Sequence, residues 1–292
     1  MKAKQILTFF FFLLNFCCFF TCKKDSTRKT STNANSVIKT GLVRTPDSIY
    51  QQISTLVTAP GTISLPRSHI LEIPSMLIQE DTFINSCVSI ACAEQKSIAD
   101  HYQYSIPYPN NQFIYSPSYL FDQDNVHLDG NCISGSFFKN NLDVMLNKGI
   151  CTLADFPYDG SNPNSCLVSY APNLDDKAAE HKIYVYYKID PINVAELKSL
   201  IYAGYPVTVA HIVDDNFEFC FGKYIWKNLA GQYWGDHAGT IYGYDDSIGA
   251  FKMLNPWGKY KGWGDNGSIW VDYNFLENGF DTYNKVNKKV FF

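Results

Sequence analysis

Between His237 and Tyr273 short apolar runs alternate with glycine- and tryptophan-bearing turns, and this stretch limits the fold more than any other part of the chain. His237 to Tyr244, Phe251 to Asn255 and Ser268 to Tyr273 have the length and the β-branched or aromatic content of strands. Asn255-Pro256-Trp257-Gly258 and Gly262-Trp263-Gly264-Asp265-Asn266-Gly267 punctuate them. Upstream, Pro206 to Val213 is a further strand. It follows a short helix that Asn193 caps and Gly204 stops, with Leu197, Leu200 and Ile201 along it. The first half reads differently. Val88, Ala91, Cys92, Gln95, Ile98, Ala99 and Tyr102 recur at three- and four-residue steps, which predicts a helix from Ser86 to about Tyr102. Asn85 and Ser86 are both suitable caps and place Cys87 at its N-terminus. A second helix is predicted around Phe137 to Asn147, ending at Lys148-Gly149, and Ser64-Leu65-Pro66 with Ile73-Pro74 forms an extended lead-in. Helices first and strands second imply an α+β architecture with a cleft between two lobes.

At 292 residues the chain can bury a substantial core. A net charge of −4, without a Lys/Arg run beyond the extreme N-terminus, leaves no electrostatic footprint for nucleic acid. Lys2 and Lys4 precede an apolar run from Ile6 to Phe20, too short to span a bilayer core of roughly 30 Å but suited to an export signal. Residues 23–62, rich in Ser, Thr, Asn and Lys at their start, read as a disordered tether and short lead-in before a domain of residues 63–292.

Three distant segments supply a nucleophile, a base and an orienting amide. Cys87 at a helix N-terminus feels the positive end of the helix dipole, which favours thiolate. His237 opens a strand and is flanked by the small residues Ala238 and Gly239. Asn255 is able to accept from one imidazole nitrogen and fix the tautomer, as a carboxylate does in serine hydrolases. The five other histidines, including His211 on the preceding strand, lack such a setting. Taken singly, Cys87 reads as a buried small hydrophobe or disulfide partner, His237 as a satisfied side chain and Asn255 as part of a turn.

Together these segments resemble the papain-like cysteine peptidases. The order Cys, His, Asn, with about 150 residues between the first two, is that family's. The His-Ala, Gly-Tyr, Asn-x-Trp-Gly and Gly-Trp-Gly-x-Asn-Gly blocks follow in its order, and Phe156-Pro157-Tyr158 and Gly204-Tyr205-Pro206-Val207 match its linking blocks. The resemblance implies a two-lobed α+β fold, with a helical N-terminal lobe, a β-rich C-terminal lobe and the active-site cleft between them. It makes Cys87, His237 and Asn255 catalytic. It has Trp257 covering the Asn255–His237 contact and Trp263 supporting it from beneath. Cys132-Ile133-Ser134-Gly135 stands where the family has a loop that pairs with an extended peptide, so Ser134, Gly135, Ala210 and Asp236 are candidate substrate contacts. The implied partner is a protein or peptide substrate. No metal-site motif occurs, and no cofactor or catalytic metal is expected.

The chain also departs from that pattern. Asp81 stands where the family has an oxyanion-binding Gln, with Gln79 two residues earlier as a substitute if the loop bulges. Thr82 and Asn85 replace glycines, and Val88 replaces an aromatic. The family's partner for Cys132 falls at Ile84, leaving Cys151 with Cys166, or Cys132 with Cys166, as closures compatible with the sequence. The 40 or so residues between Cys22 and Ile63 are too few for the long inhibitory prosegment of many relatives. Phe19-Phe20-Thr21-Cys22 resembles a bacterial lipoprotein processing site, although Thr21 is unusual there. With Lys23-Lys24-Asp25 it looks like surface lipoproteins of Bacteroidetes type, which implies Cys22 lipidation, export and anchoring to the outer membrane at the cell surface. The expected activity is that of a cysteine-type endopeptidase. The alternatives are a weak or inactive peptide-binding protein on the same scaffold, which Asp81 favours, and a cell-wall amidase.

Overall fold

The structure is a computed structural model that describes residues 40–57, 64–73, 84–105, 113–124, 132–162, 164–167, 173–189, 192–279 and 290–291. They belong to a compact unit spanning Ile38–Phe292. The export signal, Cys22 and the oxyanion candidates Gln79 and Asp81 lie outside the described residues.

The first half is helical: α1 (Asp47–Tyr50), α2 (Cys87–Tyr104), α3 (Pro117–Gln123), α4 (Phe138–Asn147) and α5 (Leu174–Ala179). Helix α2 is buried along most of its length, from Cys87 to Ile98. One face packs with Tyr119, Leu120, Phe138, Leu142 and Met145 of α3 and α4. Ser105 ends it in a left-handed C-cap. Helix α3 was not anticipated from its apolar spacing, yet Ser116-Pro117 is a start signal: the Ser116 hydroxyl accepts from the Tyr119 N–H, and Pro117 occupies the first turn.

The second half is one sheet in the order β2 (Lys188–Ile189), β8 (Val290–Phe291), β3 (Val207–Asp214), β5 (Tyr233–Asp245), β6 (Ala250–Leu254), β7 (Ser268–Asp272) and β4 (Ile225–Trp226). Strand β1 (Ser68–Ile70) pairs with β5 off this path. Strands β3, β5, β6 and β7 are mutually antiparallel, and β4 joins β7 in parallel. Helix α6 (Val194–Tyr202) is capped by Asn193, whose side chain accepts from the Glu196 N–H. Leu197, Leu200 and Ile201 enter the sheet core with Val207, Ile241, Phe251 and Val271. Helix α7 (Asp215–Glu218) follows β3 directly. Gly264 sits at φ +60° where a Cβ would run into the Ser268 backbone oxygen, so the turn before β7 needs glycine.

One boundary differs from the sequence reading. Residues 40–57, assigned to the tether and lead-in, are built into the fold. Tyr50 and Ile53 are buried against the helical core, and Leu56 and Ser54 pair with Lys188 of β2 through their backbones. Composition concealed this because residues 41–43 are held by main-chain bonds, which any side chain can accompany.

Candidate active site

Cys87 is the first residue of α2 and carries a thiol. The Ser86 side chain does not cap the helix, and its hydroxyl instead meets the Tyr158 hydroxyl at 2.8 Å. The positive end of the helix dipole thus lies at Cys87. Across from it, Thr240 of β5 reaches α2: its Oγ1 lies 3.2 Å from the Ala91 carbonyl and 3.1 Å from Glu94 Oε2. Ala91 is one turn after Cys87, and Thr240 is three residues after His237. Helix and strand are thus fastened close to both.

His237 Nε2 lies 2.8 Å from Asn255 Oδ1. The same oxygen accepts from the Trp257 N–H at 3.2 Å. A main-chain N–H can only meet the amide oxygen, which fixes how the Asn255 side chain points and makes His237 Nε2 the donor. In the neutral ring the lone pair is then on Nδ1, which is buried and has no hydrogen-bond partner among the described residues. Trp257 stacks over the imidazole with centroids 4.8 Å apart and planes 30° apart. Trp263 packs edge-on to Trp257 at 6.0 Å and donates its indole N–H to the Phe217 carbonyl at 2.8 Å. Burial pushes the His237 pKa well below its usual value. Nearby His211 lowers it further, and the Asn255 bond opposes both.

His211, set aside in the sequence reading, is directly opposite His237 in the β3–β5 register. The two rings are 5.4 Å apart at 86°. Strand register is a property of the folded sheet, and no local signal around His211 announces it.

The candidate substrate residues are brought together along a groove that residues 40–44 occupy. Ser136 donates to the Gly41 carbonyl at 2.9 Å and accepts from the Val43 N–H at 3.0 Å, on one side. On the other, the Leu42 N–H donates to the Asp236 carbonyl at 3.3 Å, and Arg44 makes a bidentate ion pair with the Asp236 carboxylate at 2.6 and 3.0 Å. A Cβ on Gly135 would strike the Gly41 carbonyl, and one on Gly41 would strike the Asn85 backbone, so this closeness needs both glycines. Leu42 packs against the cluster that contains Cys87, Ala210 and Ala238. Under this cover Cys87 and His237 are both 0 % exposed. Ser134, half-buried, precedes the paired residues on the Cys132–Ser136 loop. A disulfide between Cys132 and Cys166 anchors that loop, the second of the two closures the sequence permitted. Ile84, at the position of the missing half-cystine, fills the space beside it.

A cysteine-bearing helix set against a strand with a His–Asn pair under tryptophan is the arrangement expected of a papain-like α+β fold. The profile of the papain family cysteine proteases matches residues 82–285. The chain belongs to that family. It is similar to the viral cathepsin of Heliothis zea nuclear polyhedrosis virus, with 29% identity over 174 residues, 59% of this chain and 43% of that protein. It also resembles a gut-specific cysteine proteinase of Caenorhabditis elegans, with 31% identity over 120 residues, 40% of this chain and 35% of that protein. The matched region spans less than half the length of these curated relatives. Among solved structures, xylellain, a cysteine protease from Xylella fastidiosa, aligns over 89% of this chain and 98% of its own, with a TM-score of 0.70 at 20% identity. Digestive procathepsin L 3 of Tenebrio molitor aligns over 82% and 73%, with a TM-score of 0.60 at 16% identity. At these identities the structures speak for the fold: a helical N-terminal lobe and a β-rich C-terminal lobe.

Proposed function

We propose that the chain is a cysteine-type endopeptidase acting through a Cys87 thioester. The observation that carries this reading is the His237–Asn255 bond, because it leaves the imidazole lone pair on Nδ1, ready to take the thiol proton. Cys87 transfers its proton to Nδ1 and the thiolate attacks a peptide carbonyl carbon. The C–N bond breaks as imidazolium returns the proton to the leaving amine. Water, deprotonated by Nδ1, then attacks the thioester, and the carboxylic acid departs as the thiol is restored. The Cys87 backbone N–H supplies one oxyanion donor, and Gln79 is the sequence's candidate for the other, since an ionised Asp81 carboxylate has no proton to donate and repels the developing charge. A substrate strand would take over the main-chain bonds at Ser136 and Asp236 now made by residues 41–43. The small walls Ala210 and Ala238 suit a bulky apolar side chain beside the scissile bond.

The second reading, a peptide-binding protein without turnover, is favoured by the complete burial of Cys87 and His237 beneath residues 40–44. Labelling with a thiol-directed epoxysuccinyl peptide, followed by mass mapping, separates the two. The enzyme reading expects modification at Cys87 that is lost in His237→Ala, and cleavage of an unfolded protein substrate that is lost in Cys87→Ser. Binding of peptides with neither labelling nor cleavage would establish the second reading.

For location, the apolar run ending at Cys22 supports an exported protein held at the outer-membrane surface through an acylated Cys22. Stable anchoring takes more than one acyl chain. The mass of the mature N-terminal peptide tests this, and an unmodified terminus elsewhere would reject it.

A further inference from the structure

We propose that His211 is a positioning residue for His237 and that its protonation switches off the Cys87–His237 pair in acid. This rests on the reading of His237 as the base for Cys87. His211 occupies a position where the chain has every reason to place a hydrocarbon: its same-face neighbours on β3, Val209 and Val213, are buried and apolar, and His211 is itself 1 % exposed. A histidine there leaves its Nε2 buried with no hydrogen-bond partner among the described residues. Its Nδ1 lies 2.9 Å from the Ile212 carbonyl, an acceptor, so Nδ1 carries the hydrogen and the ring is held in one tautomer and one orientation. Phe217 of α7 at 4.6 Å and Trp226 of β4 at 5.4 Å close the box around it.

In that orientation the ring stands perpendicular to His237 at 5.4 Å. Trp257 covers one side of the His237 ring, and His211 with Phe217 occupies others, so His237 cannot swing without moving one of them. Leucine could fill the space, but it could not change charge. The titratable groups that act on His211 are His237 and Asp236, both on β5, while Phe217 and Trp226 offer only rings. Burial brings the His211 pKa down to about 4, against the opposing influence of the Ile212 and Ala238 backbone and of Asp236. Around neutrality His211 is therefore uncharged and leaves His237 free to become imidazolium. Below that value a second cation would share the water-poor box with imidazolium, and the repulsion expels the His237 proton. The thiolate–imidazolium pair is then discharged by one added proton: His211 takes it up, and the proton that leaves His237 goes to the Cys87 thiolate.

The test is the rate of Cys87 alkylation by the neutral reagent iodoacetamide between pH 3 and 8, in the full chain, with near-ultraviolet circular dichroism at each pH. The wild-type acid limb should fall with one proton, in the pH range where His211 titrates. In His211→Leu and His211→Gln the limb should lie about one pH unit or more lower, because Cys87 must then be protonated beside a retained imidazolium, and the leucine variant should also lose several-fold in rate at neutral pH. The glutamine variant retains an N–H for the Ile212 carbonyl and guards against a fold defect. In the wild type, the His211 imidazole resonances should titrate across the acid limb, a measurement that needs no variant. Acid limbs at the same pH in all three proteins, or a wild-type limb that coincides with loss of the dichroism signal, would overturn the role of His211. Alkylation indifferent to pH and unchanged by His237→Ala would instead remove the Cys87–His237 reading on which it rests.

Discussion

Asn255 does more than hold the imidazole in place. Because its Oδ1 already accepts from the Trp257 N–H, it cannot turn its NH₂ toward His237, and the ring is confined to the tautomer that presents a lone pair on Nδ1. Asn255→Ala should therefore lower kcat/KM by about 100-fold, the range in which general acid–base positioning acts. Asn255→Asp makes a finer test. A carboxylate keeps the acceptor and adds a charge that favours imidazolium, so the His237 pKa rises by about one unit or more. The ion pair then persists to higher pH, and the alkaline fall of kcat/KM, which needs the imidazolium proton for the leaving amine, moves up with it. An alkaline limb at an unchanged pH would mean that His237 is not the group being titrated. The three residues were legible as candidates because each chemical role admits few residue types and each stood in a fitting local motif. The tautomer was not legible, since it depends on a Trp257 backbone bond that only the turn after β6 creates. His211 was misjudged for the same kind of reason, its partner being 26 positions away along the chain and directly opposite in the sheet.

At the scale of elements, the segment of residues 40–44 bears on access to the candidate site as much as α2 and β5 bear on its geometry. It takes up the main-chain donors and acceptors of the groove on both sides, one of them at Asp236, the residue before His237, whose proton affinity is lowered first by burial. Displacing the segment should then both open the groove and raise the His237 pKa toward the value at which the ion pair forms. Arg44→Ala removes an ion pair whose arginine is 43% exposed, worth at most about 1 kcal/mol, so Cys87 labelling should quicken by about two- to five-fold. Added salt should quicken the wild type by a similar factor and leave the variant unmoved. Gly41→Ala should act more strongly, because its methyl group meets the Asn85 backbone and no side-chain rotation relieves that contact. Equal labelling rates for all three proteins would show that residues 40–44 do not limit access to Cys87. Sequence patterning found α2, α4, α6 and the main strands, whose cores depend on spaced apolar side chains. It could not find this segment, whose hold is chiefly main-chain.

Over the whole molecule, stability and the seating of the nucleophile's helix meet at Glu94. It is 2 % exposed in the layer between α2 and β5, and burial raises its pKa well above the usual carboxylate value, against a smaller opposing influence of Thr240. Thr240 Oγ1 is within hydrogen-bond reach of both Glu94 Oε2 and the Ala91 carbonyl, yet a hydroxyl has one hydrogen to give. A protonated Glu94 resolves the conflict: its O–H donates to Thr240, and Thr240 donates to Ala91. An ionised Glu94 would compete with Ala91 for one hydrogen while bearing a buried charge. The sign of the pH dependence follows. With the folded pKa raised above the unfolded one, the contribution of Glu94 is fully present below about pH 4.3, the unfolded value. As the pH rises above that value the unfolded chain ionises and the folded one does not, so stability is lost progressively until the folded pKa is passed. Glu94→Gln retains an N–H for Thr240 and cannot ionise. It should match the wild type in urea unfolding near pH 4 and exceed it at pH 7, the difference growing steadily between them. Asp122 and Asp124, whose pKa values burial raises to about 7 and about 6, also contribute slopes, but they are common to both proteins and cancel in the difference. A difference between variant and wild type that stays constant from pH 4 to 7 would mean that Glu94 is ionised in the folded protein and that the Glu94–Thr240–Ala91 chain is not what joins α2 to β5.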